Sequence, residues 1–422
     1  MKSLSTENLY LISKRHICSG VFRRTITLIK WLLGSIIYLI SYLVPKDKNL
    51  WVFGAWFGDK YSDNSKYFFE YMNRAHPEIK AVWLTNNDKA LRLVKNKGFE
   101  VLRTYSLKGT WCSMRATVGI LSTWVNDINR YTISKTRLIQ LWHGSPLKKI
   151  GYDDKISIEK ELLIKRVVTR LLPFLKKGLE INMIMAASSK VQGILSGAFR
   201  VSESNVKITG YPRNDVFFME NTENFPIKQK LLKLKNCFKI GIYLPTHRQK
   251  GNIDIASMFL DTIDDVNSRL KKINVILLVK YHYYHLRSLK DRLASYSNII
   301  FLSDDDINQD IYPVLPLVDF LITDYSSVYF DYLLTDKPII FAPFDMRQYV
   351  KDDRELYFDY DEVTPGAKAT NWDELIYFID RAIKYPDEYK PQRDKIRRIF
   401  NQYDDGNSSQ RVFDEVIKYT HS

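Results

Sequence analysis

His143 stands directly after the apolar run Leu138–Trp142 and is followed by Gly144, Ser145, Pro146 and two lysines. An imidazole where a strand stops can work as a general base near neutral pH. Gly144 permits a tight turn, and Pro146 suits the first turn of a helix. The plainer role is a histidine hydrogen-bonded into its own turn. Thr246 and Arg248 lie in Pro245-Thr246-His247-Arg248, just beyond Lys239–Leu244, where a planar, permanently charged guanidinium suits phosphate. Lys280 and His282 follow Val275–Val279; alternate residues of an extended chain share one face, so both can address one phosphate. His282 and His285 also raise metal binding, but no neighbouring Glu or Cys completes a ligand set. Asp324, Ser326 and Ser327 follow Phe320–Thr323 and precede an apolar helical run. Serines there can cap the helix, contact phosphate at its N-terminus, or do both.

Three other stretches are more ambiguous. Gly210-Tyr211-Pro212-Arg213-Asn214-Asp215 reads as a turn after Val206–Ile208, with Arg213 either facing a phosphate or holding the loop. Asp405-Gly406-Asn407-Ser408-Ser409-Gln410-Arg411 reads as a turn feeding a capped helix. Asp304-Asp305-Asp306 contains an Asp-x-Asp that binds metal in some nucleotide-sugar enzymes, but it also reads as an acidic helix start, and no metal is assigned. The Walker loop, HExxH, GxSxG and GxGxxG are absent from the chain.

The elements that carry these residues are short β-branched runs separated by helix-length sequence. The first series is Trp51–Ala55, Ala81–Leu84, Val101–Arg103, Val118–Leu121, Leu138–Trp142, Met183–Ala187 and Val206–Ile208. The second is Lys239–Leu244, Val275–Val279, Ile299–Leu302, Phe320–Thr323 and Ile339–Ala342. Such alternation predicts α/β units with parallel sheets. A polar stretch at Thr222–Lys230 divides the two series. The expected architecture is two doubly wound, Rossmann-type domains, 50–225 and 226–422, facing each other across a cleft, with ligands beyond the carboxyl ends of the strands. Residues 1–49 form a separate basic and apolar segment. Its apolar part, Ile26–Val44, is flanked by Lys14, Arg15, Arg23, Arg24, Lys46 and Lys48. It reads as an in-plane amphipathic helix, a single span or a buried core helix; the basic flanks and Trp31, Tyr38 and Tyr42 favour a helix lying on an anionic leaflet.

Across 422 residues, 63 Lys and Arg face 48 Asp and Glu, a formal net charge of +15. That excess favours an anionic partner. The 45% apolar content excludes a disordered chain. Three scattered cysteines exclude a disulfide framework. Dispersed basic residues without a helix-turn-helix or RNA-binding signature argue against nucleic acid.

Taken together, His143–Pro146, Gly210–Asp215, Pro245–Arg248, Lys280–His282, Asp324–Ser327 and Asp405–Arg411 resemble the CDP-glycerol glycerophosphotransferase family, the teichoic acid primases and polymerases also found in capsule synthesis. The six motifs occur in the family's order over about residues 140–412. The resemblance implies a GT-B-like fold and peripheral attachment to the cytoplasmic face of the bacterial membrane. It implies transfer of a polyol phosphate, foremost glycerol phosphate, from a CDP-activated donor with release of CMP and without a cofactor. The acceptor would be a polyprenyl-diphosphate-linked saccharide or a polyol-phosphate polymer. His143 and His282 become the candidate catalytic residues. Thr246, Arg248, Lys280, Asp324, Ser326, Ser327, Ser408, Ser409 and Arg411 become candidates for the donor's phosphates and nucleotide. Gly144, Ser145, Arg213, Asn214 and Asp215 are assigned to the acceptor side or its loops. Two departures fall in the donor half: Tyr281 and Tyr283 stand where the family usually has Leu and Pro, and His247 where it commonly has Trp. Both bear on which polyol the donor carries. The competing classes are a GT-B glycosyltransferase using a nucleotide sugar and a non-catalytic membrane- or polymer-binding protein. Length, with little beyond an anchor and two halves, favours a primase or compact capsule enzyme over a large polymerase.

Overall fold

The structure, a computed structural model, describes residues 30–154, 180–220, 223–246, 255–280, 295–352 and 355–421. The first lobe is a seven-stranded sheet in the order β3-β2-β1-β4-β5-β6-β7. Its strands are β1 (Asp47–Phe53), β2 (Lys80–Thr85), β3 (Val101–Arg103), β4 (Ala116–Leu121), β5 (Arg137–Gln140), β6 (Met183–Ala186) and β7 (Val206–Ile208). The second is six-stranded, β10-β9-β8-β11-β12-β13. It comprises β8 (Lys239–Leu244), β9 (Val275–Val279), β10 (Ile299–Phe301), β11 (Phe320–Thr323), β12 (Ile339–Phe341) and β13 (Ala367–Lys368). All pairings between neighbouring strands are parallel. Parallel strands are covered on both faces, which is why a run such as Val275–Val279 is apolar throughout and buried at every residue. In each sheet the chain winds outward in one direction and then returns to wind in the other. The reversal falls between β1 and β4 in the first lobe and between β8 and β11 in the second. In sheets of this kind ligands bind beyond the strand ends at such reversals.

Helix α1 (residues 30–43) leads into β1. Its buried side seats Gly34 against the ring of Tyr131 and joins the Ser41 hydroxyl to Ser134 Oγ at 2.6 Å. Leu32, Leu33, Ile36, Leu39, Ile40 and Leu43 lie exposed on its other side. Among the described residues, no helix is long and apolar enough to cross a membrane.

Helix α2 (Asp63–Ala75) covers the first sheet and carries buried Lys66 across to Asp310 of the second lobe, 2.8 Å away. A short helix, α3 (Val328–Tyr332), follows β11. The last helix, α4 (Ser408–His421), belongs by sequence to the second half of the chain but packs on the first lobe. There Val412 and Val416 join the cluster of Trp51, Phe68 and Met185. Asp215 fixes where α4 starts: its carboxylate accepts the Ser408 and Ser409 N–H groups, both at 2.9 Å, and the Ser409 hydroxyl at 2.7 Å. Three such bonds to one buried carboxylate lead us to expect that Asp215→Ala lowers the free energy of unfolding by about 2–3 kcal/mol, read by denaturant titration.

The helix expected after Pro146 is not there. Residues 147–149 instead run extended against 355–357 of the other lobe, with Lys149 N–H on Glu355 O and Tyr357 N–H on Leu147 O. Cross-lobe backbone pairing satisfies the groups a first helical turn would have needed.

Candidate active site

The chain leaves β5 through Leu141 and Trp142 and arrives at His143. Trp142 has φ +59°, in the left-handed region that bulky side chains avoid. Two buried amides hold that peptide. Trp142 N–H donates to Gln140 Oε1 at 3.1 Å, and Asn64 Nδ2 donates to Trp142 O at 2.8 Å. Asn64 Oδ1 also accepts the Arg213 N–H at 3.1 Å, tying the strand end to the Gly210–Asp215 loop. A strained residue held by surrounding hydrogen bonds just before the candidate base is the pattern expected of a pre-organised site.

His143 Nδ1 lies 3.2 Å from Ser122 O. A carbonyl can only accept, so Nδ1 carries the proton and Nε2 presents its lone pair. Burial pushes the imidazole below its ordinary value of 6.5; Asp63 and the Ser122 carbonyl oppose the shift, while Arg213 and Lys148 reinforce it. At pH 7 the His143 imidazole is therefore neutral.

Gly144 makes the next step possible. Its φ is +128°, and a Cβ there would lie 2.7 Å from Arg213 Nη2 and 3.0 Å from Ser327 Oγ. Only glycine lets the turn after His143 come this close to a serine of the opposite lobe. Ser145 is buried beneath the same turn.

Arg213 and Asn214 are buried and join the lobes. Arg213 Nη1 meets Asp63 Oδ1 at 2.8 Å and Nη2 meets Asp331 Oδ2 at 2.5 Å. Asn214 Nδ2 reaches Asp331 Oδ1 at 3.0 Å, and the Tyr312 hydroxyl reaches Asp331 Oδ2 at 2.6 Å.

In the second lobe, Thr246 follows β8 and Asp324 follows β11, the two strands flanking the second reversal. Asp324 Oδ1 accepts the N–H groups of Thr246 at 2.8 Å and Tyr325 at 2.6 Å, so one carboxylate fastens both loops. Ser326 and Ser327 stand at the start of α3, with no serine hydroxyl bond from Ser327 to the first turn. Lys280 Nζ is held by Asp304 Oδ1 at 2.6 Å, and Lys60 of the first lobe meets the other oxygen at 3.2 Å. Burial would raise the Asp304 carboxyl, but the two lysines outweigh it and hold it at about 2. Asp305 pairs with Lys89 and Asp306 accepts from Ser303, so each carboxylate of this acidic run has a partner within the protein. No group of three His, Cys, Asp or Glu side chains placed to hold a metal occurs among the described residues.

Ser408 and Ser409 are turned to Asp215. Arg411 is paired with Asp405 and lies 3.6 Å over the Tyr403 ring. Arg248 and His282 lie outside the described residues. The candidate site thus brings the turn of His143 and Gly144 to Arg213 and Ser327, with Thr246 and Asp324 fastened together in the second lobe.

Sequence reasoning missed Asp63, Asn64, Gln140 and Asp331. Asp63-Asn64-Ser65 opens α2 and is indistinguishable by composition from an ordinary helix cap.

The family model for CDP-glycerol:poly(glycerophosphate) glycerophosphotransferases matches residues 36–418. The chain belongs to this family. It is 28% identical over 396 residues to the teichoic acid glycerol-phosphate transferase of Staphylococcus aureus, covering 92% of this chain and 99% of that one. It is also 28% identical over 400 residues to the teichoic acid poly(glycerol phosphate) polymerase of Bacillus spizizenii, covering 91% and 95%. Among solved structures, the wall teichoic acid polymerase TagF superposes with a TM-score of 0.76 at 23% identity, over 99% of both chains, and so shares the fold. This glycerophosphotransferase accordingly has the two facing parallel-sheet lobes of a GT-B-like enzyme. The matched range includes the strand ends that carry His143 and Ser327.

Proposed function

We propose that the protein moves glycerol phosphate from CDP-glycerol to a hydroxyl of a membrane-linked acceptor and releases CMP, in the synthesis of a teichoic acid or a capsule polymer of that kind. The carrying observation is the close approach of Gly144, the residue after His143, to Ser327 of the opposite lobe, in a chain of this family. His143 Nε2 takes the acceptor proton as the acceptor oxygen attacks the donor's β-phosphorus. The bond from that phosphorus to the bridging oxygen breaks, and CMP leaves with the electron pair. Phosphoryl transfer asks chiefly for alignment and charge neutralisation. Ser326 and Ser327 contribute hydroxyls and backbone N–H groups to the donor's phosphates and Thr246 its hydroxyl, with Lys280, Arg248 and His282 as the cationic side. Purified protein given CDP-glycerol, CDP-ribitol and nucleotide sugars is expected to release CMP from CDP-glycerol only when a prenyl-linked acceptor is present. Turnover of a nucleotide sugar alone would replace this reading with a glycosyltransferase.

The acceptor and the +15 net charge both point to the cytoplasmic face of the membrane. Helix α1 suits in-plane attachment: its outer side is apolar, Lys30 and Lys48 are exposed beside it, and Lys135 lies over Tyr42 at 5.5 Å. Replacing Leu39 and Leu43, both exposed, with Glu removes two apolar contacts and adds two charges that anionic lipid repels. We expect the double variant to lose at least about ten-fold in partitioning to phosphatidylglycerol vesicles in a sedimentation assay, with CMP release in detergent unchanged.

A further inference from the structure

Two residues after β1, the first of them with its ring near His143, have a conformation that folding alone does not explain. Trp56 and Phe57 follow β1 at the reversal of the first sheet, with φ of +48° and +60°. Consecutive aromatic residues in the left-handed region are rare and strained. Their side chains gain little burial in return, being 37% and 51% exposed.

The surroundings enforce the arrangement. Phe57 N–H donates to Asp127 Oδ1 at 2.7 Å, and Trp56 N–H to Thr123 Oγ1 at 3.1 Å. The other Asp127 oxygen takes the N–H groups of Ser122 at 3.0 Å and Thr123 at 2.6 Å. Gly54 lets the strand end lie against the Asp127 backbone: a Cβ there would stand 1.9 Å from the Asp127 carbonyl oxygen. Ser122 is the residue whose carbonyl orients His143. One buried carboxylate therefore sets both the candidate base and the aromatic pair. The indole of Trp56 lies 5.8 Å from the imidazole of His143, centroid to centroid, with the buried Trp142 ring on the imidazole at 4.0 Å.

We propose that Trp56 and Phe57 form an acceptor subsite: an aromatic platform for the sugar ring that presents the attacking hydroxyl to His143. This rests on the transferase reading above and names the acceptor class within it. A pyranose offers a flat C–H face that stacks on an indole, and a ring in contact with Trp56 would hold its hydroxyls within reach of the neighbouring imidazole. A glycerol phosphate unit has no such face and carries a charge that calls for cations instead. The platform therefore selects an acceptor ending in a saccharide over one ending in polymer.

The test uses the full chain with CDP-glycerol and two acceptors on the same short prenyl diphosphate, one ending in a saccharide and one in glycerol phosphate. Trp56→Ala and Phe57→Ala are expected to raise KM for the saccharide acceptor about ten-fold, to leave KM for CDP-glycerol within two-fold, and to affect the glycerol phosphate acceptor less. Trp56→Phe should restore most of the loss. Trp56→Gly should raise Tm, because glycine adopts positive φ freely, while still raising acceptor KM; a purely structural tryptophan would lower Tm instead. Calorimetric binding of the saccharide acceptor without donor needs no turnover and should weaken by the same factor. Unchanged acceptor KM and binding, or a loss confined to the glycerol phosphate acceptor, would overturn the platform while leaving the transferase reading intact. Absence of CMP release from wild-type protein, with saccharide binding that depends on Trp56, would overturn the reaction and keep the platform.

Discussion

His143→Ala should lower kcat for CMP release by 10²–10⁴-fold while the protein stays folded, the loss expected when a positioned general base is removed. Folding should survive because the side chain makes one described hydrogen bond, to Ser122 O, and the turn is held independently by Asn64 and Gln140. The pH dependence supplies a second signature. Catalysis needs neutral Nε2, and burial lowers the pKa of the group from 6.5. Below that depressed pKa the imidazole is protonated and cannot accept the acceptor's proton. The rate should thus be level through pH 7 on the acid side and fall about ten-fold per unit only below 6.5. A folded His143→Ala protein retaining most of its activity, or an acid limb lying well above pH 7, would remove His143 from the role of base.

How much of this site could be read from the chain depends on what each residue's role leaves in the sequence. The twelve expected strands all occur, because a strand buried on both faces must be a continuous apolar run, as Val275–Val279 and Phe320–Thr323 are. The thirteenth, Ala367–Lys368, is two residues long and leaves no run to find. Strand-end motifs were legible because the ends of parallel strands are where ligands bind, so His143, Thr246, Asp324 and Ser327 stood out by position as well as by type.

Residues whose work depends on the approach of distant segments were not legible. Asn64 is 78 positions from the peptide oxygen it holds, and Asp215 is 193 from the N–H groups it caps. Nothing local distinguishes them from turn and cap residues. Pro146 misled for the same reason: its neighbours find their partners in 355–357, not in a helix of their own. Backbone strain is hidden as well. Trp56, Phe57 and Trp142 look like ordinary aromatics until their positive φ angles are seen. The left-handed conformation is imposed by Asp127, Thr123, Asn64 and Gln140, not by any preference of the aromatic residues.

Replacing Arg213 should have the largest effect on stability. The guanidinium is 4% exposed and stands between Asp63 and Asp331, which are 5% and 0% exposed. Arg213→Met keeps much of the side chain's apolar volume but leaves two carboxylates buried without their cation. Breaking a buried ion pair from one side costs about 3–5 kcal/mol, chiefly because the remaining charge is stranded. The expected result is a fall of that size in the free energy of unfolding by urea titration. Arg213→Lys should lie between, since one ammonium cannot reproduce the two-pronged reach from Nη1 to one lobe and Nη2 to the other. A loss below about 1 kcal/mol for Arg213→Met would mean that water or rearrangement satisfies both carboxylates, and that the joint is not what holds the lobes together. Because Arg213 Nη2 also lies beside Gly144, activity measured on the fraction that remains folded should fall too. Among the described contacts that join the lobes, the Arg213–Asp331 pair is the one that also touches the turn carrying His143, so cleft geometry and part of the interlobe stability share one guanidinium.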